Sequence, residues 1–318
     1  MWISPYKYVL SLGHLCSDIN QSILSAVLPF LIATYHYDYT TAAMLVTVSN
    51  VFGAFVQPFI GMLSDKKNKL LYMTLGVLLA SGGMAVTGFI SNFFGLCIVV
   101  IISGIGVVMF HPQAAKLVNS VSSKNAKGKG MSIFSFGGKV GFTLGQVYTA
   151  FLMNLFGMKG TILFLIPGIV FGIVCSFFNK DFENLDVLEV EKKEKVKSEQ
   201  KDDWSGFIKL CCVVFSRSIL SNGISTFLAF YFIQQFSKSN SFASMLLSVF
   251  YGIGSITLLG GGIADCFGHR KMVRLSFCIF LPAIFIFTNT SHFVIALIML
   301  IFMTCGESLS YSPMVVLG

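Results

Sequence analysis

Ten uninterrupted apolar runs, each long enough to cross a lipid bilayer, constrain this chain more than any other feature. A membrane-spanning helix takes about 20 apolar residues. Such runs lie near 8–33, 42–63, 70–90, 94–115, 131–156, 161–178, 207–233, 243–262, 272–288 and 292–315. They are continuous rather than alternating, so they predict helices and not the short strands of a β-barrel. Of the 318 residues, 55% are hydrophobic and 11% are charged, whereas a soluble domain carries about 25% charge. There is too little polar side chain to coat a globule in water, and lipid is the expected solvent. The first run is too long for the apolar core of a cleaved signal peptide and contains His14 and Asp18, so it is expected to stay as a span.

The net charge of +8 invites a nucleic-acid partner, but its placement argues for membrane topology instead. With the N-terminus on the cytoplasmic side, the inner segments hold Lys7, the lysines of the 65–69 loop, and those at 116–129 and 180–209. Arg270, Lys271 and Arg274 complete the set, while the outer loops hold only Lys159 and Lys238. Basic residues retained in cytoplasmic loops set the orientation of a polytopic protein. The eight cysteines fall in or beside the spans with no C-x-x-C pair. Neither a disulfide framework nor a cysteine zinc site is expected, nor any metal or other cofactor.

One long polar segment, 179–206, interrupts the spans and carries nine of the fourteen acidic residues. Its composition suits a cytoplasmic linker or surface helix. It divides the chain into a six-helix N-terminal bundle, 1–178, and a four-helix C-terminal bundle, 207–318. The halves repeat each other. The stretch "GMLSDKKNK" at 61–69 is answered by "GGIADCFGHRK" at 261–271, so Gly61 and Asp65 return as Gly261 and Asp265. Lys66 and Lys69, or Arg270 and Lys271, follow each copy. Asn68 stands where Gly268 stands, and both residue types tolerate left-handed backbone. A polar stripe of Asp18, Gln21, Ser22 and Ser25 in span 1 is matched by Ser218, Ser221, Asn222 and Ser225 in span 7. Steps of three and four place each set on one helix face. "FHP" at 110–112 meets "YSP" at 311–313. Internal duplication of this kind is a signature of secondary transporters. The repeated loop then joins spans 2 and 3 in one half and spans 8 and 9 in the other.

These residues carry a resemblance. "GMLSDKKNK" resembles the loop 2–3 signature of the major facilitator superfamily, and "GGIADCFGHRK" resembles its weaker second copy. "HLCSDINQSILSAVLPFL", "QPFIGMLSDK", "GIGVVMFHPQAAKLV", "FSFGGKVGFTLG" and "RSILSNGISTFLAFYF" are similar to the fosmidomycin-resistance-type efflux transporters within it. The resemblance implies an all-α polytopic fold of two six-helix bundles around a central cavity. It also implies drug export driven by inward proton flow, in a bacterial cytoplasmic (inner) membrane. It departs from the family at two points. The family has twelve helices where ten are expected here, the chain stopping inside an apolar run as though the second bundle were truncated. Many proton-driven drug exporters carry an Arg in the fourth helix, and span 4 has none.

A charge at mid-bilayer costs about 2.5–3.5 kcal/mol on insertion scales, so it tends to face a cavity or a partner. Asp18 lies about halfway along span 1 with His14 one turn earlier. Held between the opposing pulls of burial and a nearby cation, its carboxylate is a candidate for loading and releasing a proton. The plain alternative is a structural hydrogen bond. His14, beside Asp18, and Glu307, in span 10, are the other proton-coupling candidates. Arg217 in span 7 sits within one position of the duplicate of Asp18. It suits either an anion site, since its guanidinium forks onto phosphate or phosphonate, or a partner for Asp18. Lys139 sits in "GGKVG" on span 5, where the glycines suit close helix packing and the lysine either snorkels or lines the substrate cavity; the following Val140 rules out a phosphate-binding loop of the P-loop type. His111, before Pro112, either lines the cavity or faces the surface where span 4 bends or ends. Gln21, Ser22, Ser25, Ser221, Asn222 and Ser225 complete the expected cavity wall.

The resulting expectation is a monomeric, proton-coupled exporter of small toxic compounds that works by rocking two bundles. It would bind membrane lipid, protons and a small-molecule substrate, and it is not an enzyme. Two rivals stay open: an uptake transporter for a sugar or organic anion, and a truncated membrane protein that transports nothing.

Overall fold

The computed structural model describes residues 6–64, 69–121, 127–178, 204–257 and 267–317. No strand occurs among the described residues, and the apolar runs are helical. In the N-terminal half these are α1 (Tyr6–Tyr35), α2 (Tyr39–Ser64), α3 (Lys69–Val86), α4 (Phe93–Ser120), α5 (Lys127–Phe156) and α6 (165–178). In the C-terminal half they are α7 (Trp204–Phe236), α8 (Asn240–Thr257), α9 (His269–Asn289) and α10 (Phe293–Leu317). By length and composition, eight segments of the described residues are long and apolar enough to cross a membrane. The difference from the ten expected arises at two places. A 3-10 stretch, Gly157–Phe164, fuses α5 and α6 into one 46-residue apolar segment, Ile133–Phe178. In α8 the apolar helical part, Met245–Gly254, is shorter than a full span.

Local chemistry accounts for several helix boundaries. The Asp38 carboxylate accepts a hydrogen bond from the Thr41 backbone N–H at 2.6 Å and so caps α2. Hydrogen bonding from the Thr41 side chain and then from its backbone N–H holds the carboxyl below the usual carboxylate range. Asn92 caps α4 in the same way through Gly95 N–H at 2.7 Å. Gly268 precedes α9 with φ 90° and ψ 131°, a conformation that an L side chain resists. Pro29, Pro58, Pro112 and Pro282 all lie inside helices. Pro112 does not end span 4 as considered above, because α4 continues to Ser120. Membrane helices tolerate the lost backbone bond where neighbouring groups re-satisfy the carbonyl.

The chain divides into two compact units, Met1–Lys197 and Ser198–Gly318. In the first, α1 runs along α5, α3 along α4, and α4 also touches α1 and α2. The α1–α5 contact is glycine-lined on the α5 side: a Cβ on Gly141 would lie 2.4 Å from the Leu15 carbonyl oxygen, and one on Gly145 would lie 2.0 Å from Ser22 Oγ. Only hydrogen-sized side chains permit this approach, the small-residue packing used where lipid removes any hydrophobic drive between helices. Leu10, Met73, Val77, Phe110, Phe134 and Phe171 form part of the buried core of this unit. In the second unit α9 packs along α10, and α10 also touches α7 and α8. Large apolar side chains such as Phe94 and Phe177 point outward, each 80% exposed, as a lipid-facing wall requires.

Candidate functional site

Asp18, buried in the middle of α1, is met by two histidines. His14, one turn earlier, places Nε2 3.3 Å from Oδ2. His111, from α4, places Nε2 3.0 Å from Oδ1. Each imidazole is anchored from behind. His14 Nδ1 donates to the Phe134 carbonyl on α5 at 2.8 Å, and its ring stacks on the Phe134 ring at 4.0 Å. His111 Nδ1 donates to the Val107 carbonyl, one turn back on its own helix, at 2.9 Å. The two imidazole rings meet edge-on with centroids 5.0 Å apart. Gly138 on α5 closes the remaining side, next to the half-buried Lys139; a Cβ there would lie 2.5 Å from Asp18 Oδ2 and 2.6 Å from His14 Nε2.

The number of protons in this cluster follows from the partners. A carbonyl oxygen only accepts, so both Nδ1 atoms carry hydrogen. Each Nε2 then faces a carboxylate oxygen, and that contact is a hydrogen bond only if a proton lies between the two atoms. Satisfying all four contacts takes four protons. Either both rings are imidazolium and Asp18 is ionised, or one ring is neutral and Asp18 is protonated. Both arrangements carry one net positive charge. Removing one proton leaves a neutral cluster in which one nitrogen lone pair faces an oxygen lone pair. The His14 link, longer by 0.3 Å (3.3 against 3.0 Å), is the weaker one to surrender. The cluster thus has two hydrogen-bonding states that differ by one proton, with α1, α4 and α5 as its walls.

The second unit holds a different pair. Arg217 on α7 donates through Nη2 to Glu307 Oε1 on α10 and through Nε to Ser310 Oγ at 2.9 Å. Ser221 Oγ donates to the same carboxylate oxygen at 3.1 Å, and Ser308 Oγ lies 3.4 Å from the other. The carboxylate side chain is 5% exposed and the guanidinium side chain 11%. Each half therefore ties its first helix to its fourth through a buried carboxylate. The carboxylate stands on the first helix in one half and on the fourth in the other.

Comparison with known proteins decides the family. The sequence profile of the Major Facilitator Superfamily matches residues 10–318. The chain belongs to this superfamily. Among its relatives is the fosmidomycin resistance protein of Escherichia coli (strain K12), 23% identical over 276 residues, which cover 83% of this chain and 66% of the relative. The chain thus spans just under two thirds of that protein's length. Two solved structures share the fold. A bacterial homologue of the human lysosomal transporter Spinster, inward-facing and occupied, matches with a TM-score of 0.76 at 16% identity, covering 98% of this chain and 73% of that one. The inward-open xylose transporter XylE of Escherichia coli matches with a TM-score of 0.75 at 15% identity, covering 98% and 81%. Members of this superfamily are transporters rather than enzymes, and the chain is a multi-pass membrane protein.

The other sequence-predicted residues of this major facilitator chain fall into distinct settings. Gln21 is exposed and Ser25 half-buried, whereas Ser22 is buried against Gly145, with its carbonyl accepting from Gln146 Nε2 at 3.0 Å. Ser22 thus belongs to the α1–α5 contact. Asn222 is exposed, and Ser225 donates to its carbonyl within α7. In the repeated loops, Asp65, Lys66, Gly261 and Asp265 lie outside the described residues. Gly61 lies near the end of α2, Lys69 begins α3, and Arg270 is exposed in the first turn of α9. Arg217 was weighed as an anion site or as a partner for Asp18; within its own unit it pairs with Glu307, and Asp18 within its own pairs with His14 and His111. His111 was weighed only as a cavity or surface residue; its bond to Asp18 spans 93 residues of sequence, and no spacing pattern announces it.

Proposed function

We propose that this chain is a proton-coupled secondary transporter that exports small toxic compounds by alternating access, with the His14–Asp18–His111 cluster as its proton-handling element. The observation that supports this reading is the convergence of both Nε2 atoms on one buried carboxylate. One proton more or less changes a hydrogen bond inside a cluster walled by α1, α4 and α5, so the protonation state biases the packing of those helices. A proton or substrate shifts such an equilibrium only by its differential affinity for the two states. The groups facing Asp18 are His14 on its own helix and His111 from α4.

In the same reading Arg217 and Glu307 form the anion-sensing pair. A phosphonate oxygen competes with the Glu307 carboxylate for the guanidinium fork. The name of the Escherichia coli relative makes fosmidomycin the natural first probe. The protein acts as a monomer in the bacterial inner membrane with its N-terminus cytoplasmic, and α5, α6 and α8 are separate spans, which restores ten. Import is the rival direction, since a xylose transporter shares the fold.

The test uses inside-out membrane vesicles energised with an acidic interior and labelled fosmidomycin outside. Wild type accumulates the label, and a protonophore abolishes accumulation. Asp18→Asn, at equal membrane abundance, falls at least tenfold toward background. Wild-type accumulation by Asp18→Asn removes the proton role, and gradient-driven loss of preloaded label from the vesicles establishes the import reading instead.

A further inference from the structure

The same three side chains have the composition and spacing of a metal site. We propose that His14, Asp18 and His111 bind one divalent first-row transition-metal ion, with zinc the best match. The inference goes beyond proton-coupled transport and does not depend on it, because it rests on ligand geometry alone.

One ligand atom from each residue can be chosen so that all three lie within 4.8 Å of one another. The Nε2-to-carboxylate separations of 3.0 and 3.3 Å can be set against the edge of a zinc coordination tetrahedron. With zinc–nitrogen bonds of about 2.0–2.1 Å and zinc–oxygen bonds of about 2.0–2.2 Å, that edge is roughly 3.3 Å. The two contacts end on different oxygens of Asp18 and the three ligand atoms lie within 4.8 Å of one another, so an ion enters when the carboxylate and rings turn to close the remaining separation. The outer partners are those a metal-ligating histidine uses. Both Nδ1–H groups are held by backbone carbonyls, Phe134 and Val107, which leaves both Nε2 lone pairs directed at the site. Two imidazoles and one carboxylate suit zinc, cobalt or nickel rather than magnesium or calcium, which prefer oxygen ligands.

Access and charge agree with this. The His14 and Asp18 side chains are only 8% and 6% exposed, but that of His111 is 32% exposed. His111 is therefore the side from which an ion would approach and at which water or an external ligand would complete the coordination. A dipositive ion with two neutral imidazoles and one carboxylate leaves a single net positive charge. The fully hydrogen-bonded protonated cluster carries the same charge, so the surrounding core accommodates the ion without a new electrostatic demand. The cysteine pattern of the sequence argued against zinc, but this donor set uses no sulfur and joins helices whose contributing residues are 93 positions apart.

The test uses the untagged full chain in detergent at pH 7.5, with no gradient and no transport substrate. Cobalt(II) chloride is titrated in and read by its visible absorption, which is intense only when the ion leaves octahedral water coordination. The expected result is saturation at one cobalt per chain. His111→Ala and Asp18→Asn should each weaken binding at least tenfold, and His292→Ala, which changes an exposed histidine, should leave it unaltered. Zinc-edge X-ray absorption on wild type provides a check that needs no variant. It should show imidazole scattering and a nitrogen/oxygen shell at about 2.0–2.1 Å, without the sulfur shell at about 2.3 Å that cysteine ligands would give. Absence of the cobalt band in wild type, equal binding by His111→Ala and Asp18→Asn, or a sulfur-dominated shell overturns the proposal. Binding with these properties in a chain that shows no proton-driven flux upholds the metal site and sinks only the coupling role; the opposite pattern does the reverse.

Discussion

Asp18 offers two oxygens, and each is claimed by a different imidazole, so the positions of both rings decide what the carboxylate can do. Gly138 holds them there by having no side chain. In Gly138→Ala the new Cβ would meet Asp18 Oδ2 at 2.5 Å and His14 Nε2 at 2.6 Å. Both are ends of side chains rather than backbone, so the helices can stay in place while the cluster yields. The expected outcome is a folded protein, destabilised by about 1–3 kcal/mol as for other overpacked sites, with proton-dependent flux reduced at least tenfold. Gly82→Ala, where nothing lies within 4 Å, is the matched control with neither effect. Thermal unfolding in detergent alongside vesicle flux separates the two quantities, and normal flux in Gly138→Ala would show that the ring positions do not matter. At this scale the sequence was half legible. His14 could be placed beside Asp18 because four residues make about one helical turn. His111 could not, because helix-to-helix pairing leaves no periodic trace. The available clue was energetic: an ionisable group in an apolar run demands a partner, and the next imidazole or charged side chain inside a span is a histidine before a proline.

Between elements, the Arg217–Glu307 pair is the polar tie from α7 to α10. Both side chains are largely buried, so removing one partner strands the other charge. Glu307→Gln should cost about 3–5 kcal/mol, as for other broken buried pairs, while replacing both with apolar residues of similar volume, Arg217→Met with Glu307→Leu, should cost far less. Denaturant unfolding of the purified chain measures the two, and equal losses would mean that the pair contributes through packing rather than charge. Serines 221 and 310 strengthen the argument, since they supply the hydrogen bonds a buried pair needs to offset its desolvation. The positions of the helices themselves were readable from apolar length, and α1, α2, α4, α7 and α10 run a few residues around their expected runs. What was not readable is continuity. Neither the 3-10 stretch Gly157–Phe164 nor the passage of α4 through Pro112 follows from hydropathy, because both depend on where freed carbonyls find donors in neighbouring helices.

For the whole molecule, two observations carry the family: the repeated loop with its matched polar stripe, and the profile match over residues 10–318. Duplication was legible because short motifs survive at fixed separation even where the rest has drifted, as Gly61 and Gly261 do. Orientation is a separate matter and rests on lysine and arginine placement, which supplies a last prediction. If the N-terminus is cytoplasmic, Tyr37 between α1 and α2 and Ser237 between α7 and α8 face outward, and Val121 at the end of α4 faces inward. The basic residues favour this arrangement because moving each one across the membrane is costly and counts mainly in short loops. In a background with the eight native cysteines replaced, single cysteines at these three positions can be probed in intact cells with a membrane-impermeant maleimide. Cysteines at 37 and 237 should react, and a cysteine at 121 should react only after permeabilisation. The pair at 37 and 237 carries additional weight, because repeats related by an axis along the membrane normal keep equivalent loops on one side. Opposite labelling of 37 and 237 would break the parallel-repeat relation, whereas joint labelling from the inside would invert the orientation and leave the repeat intact.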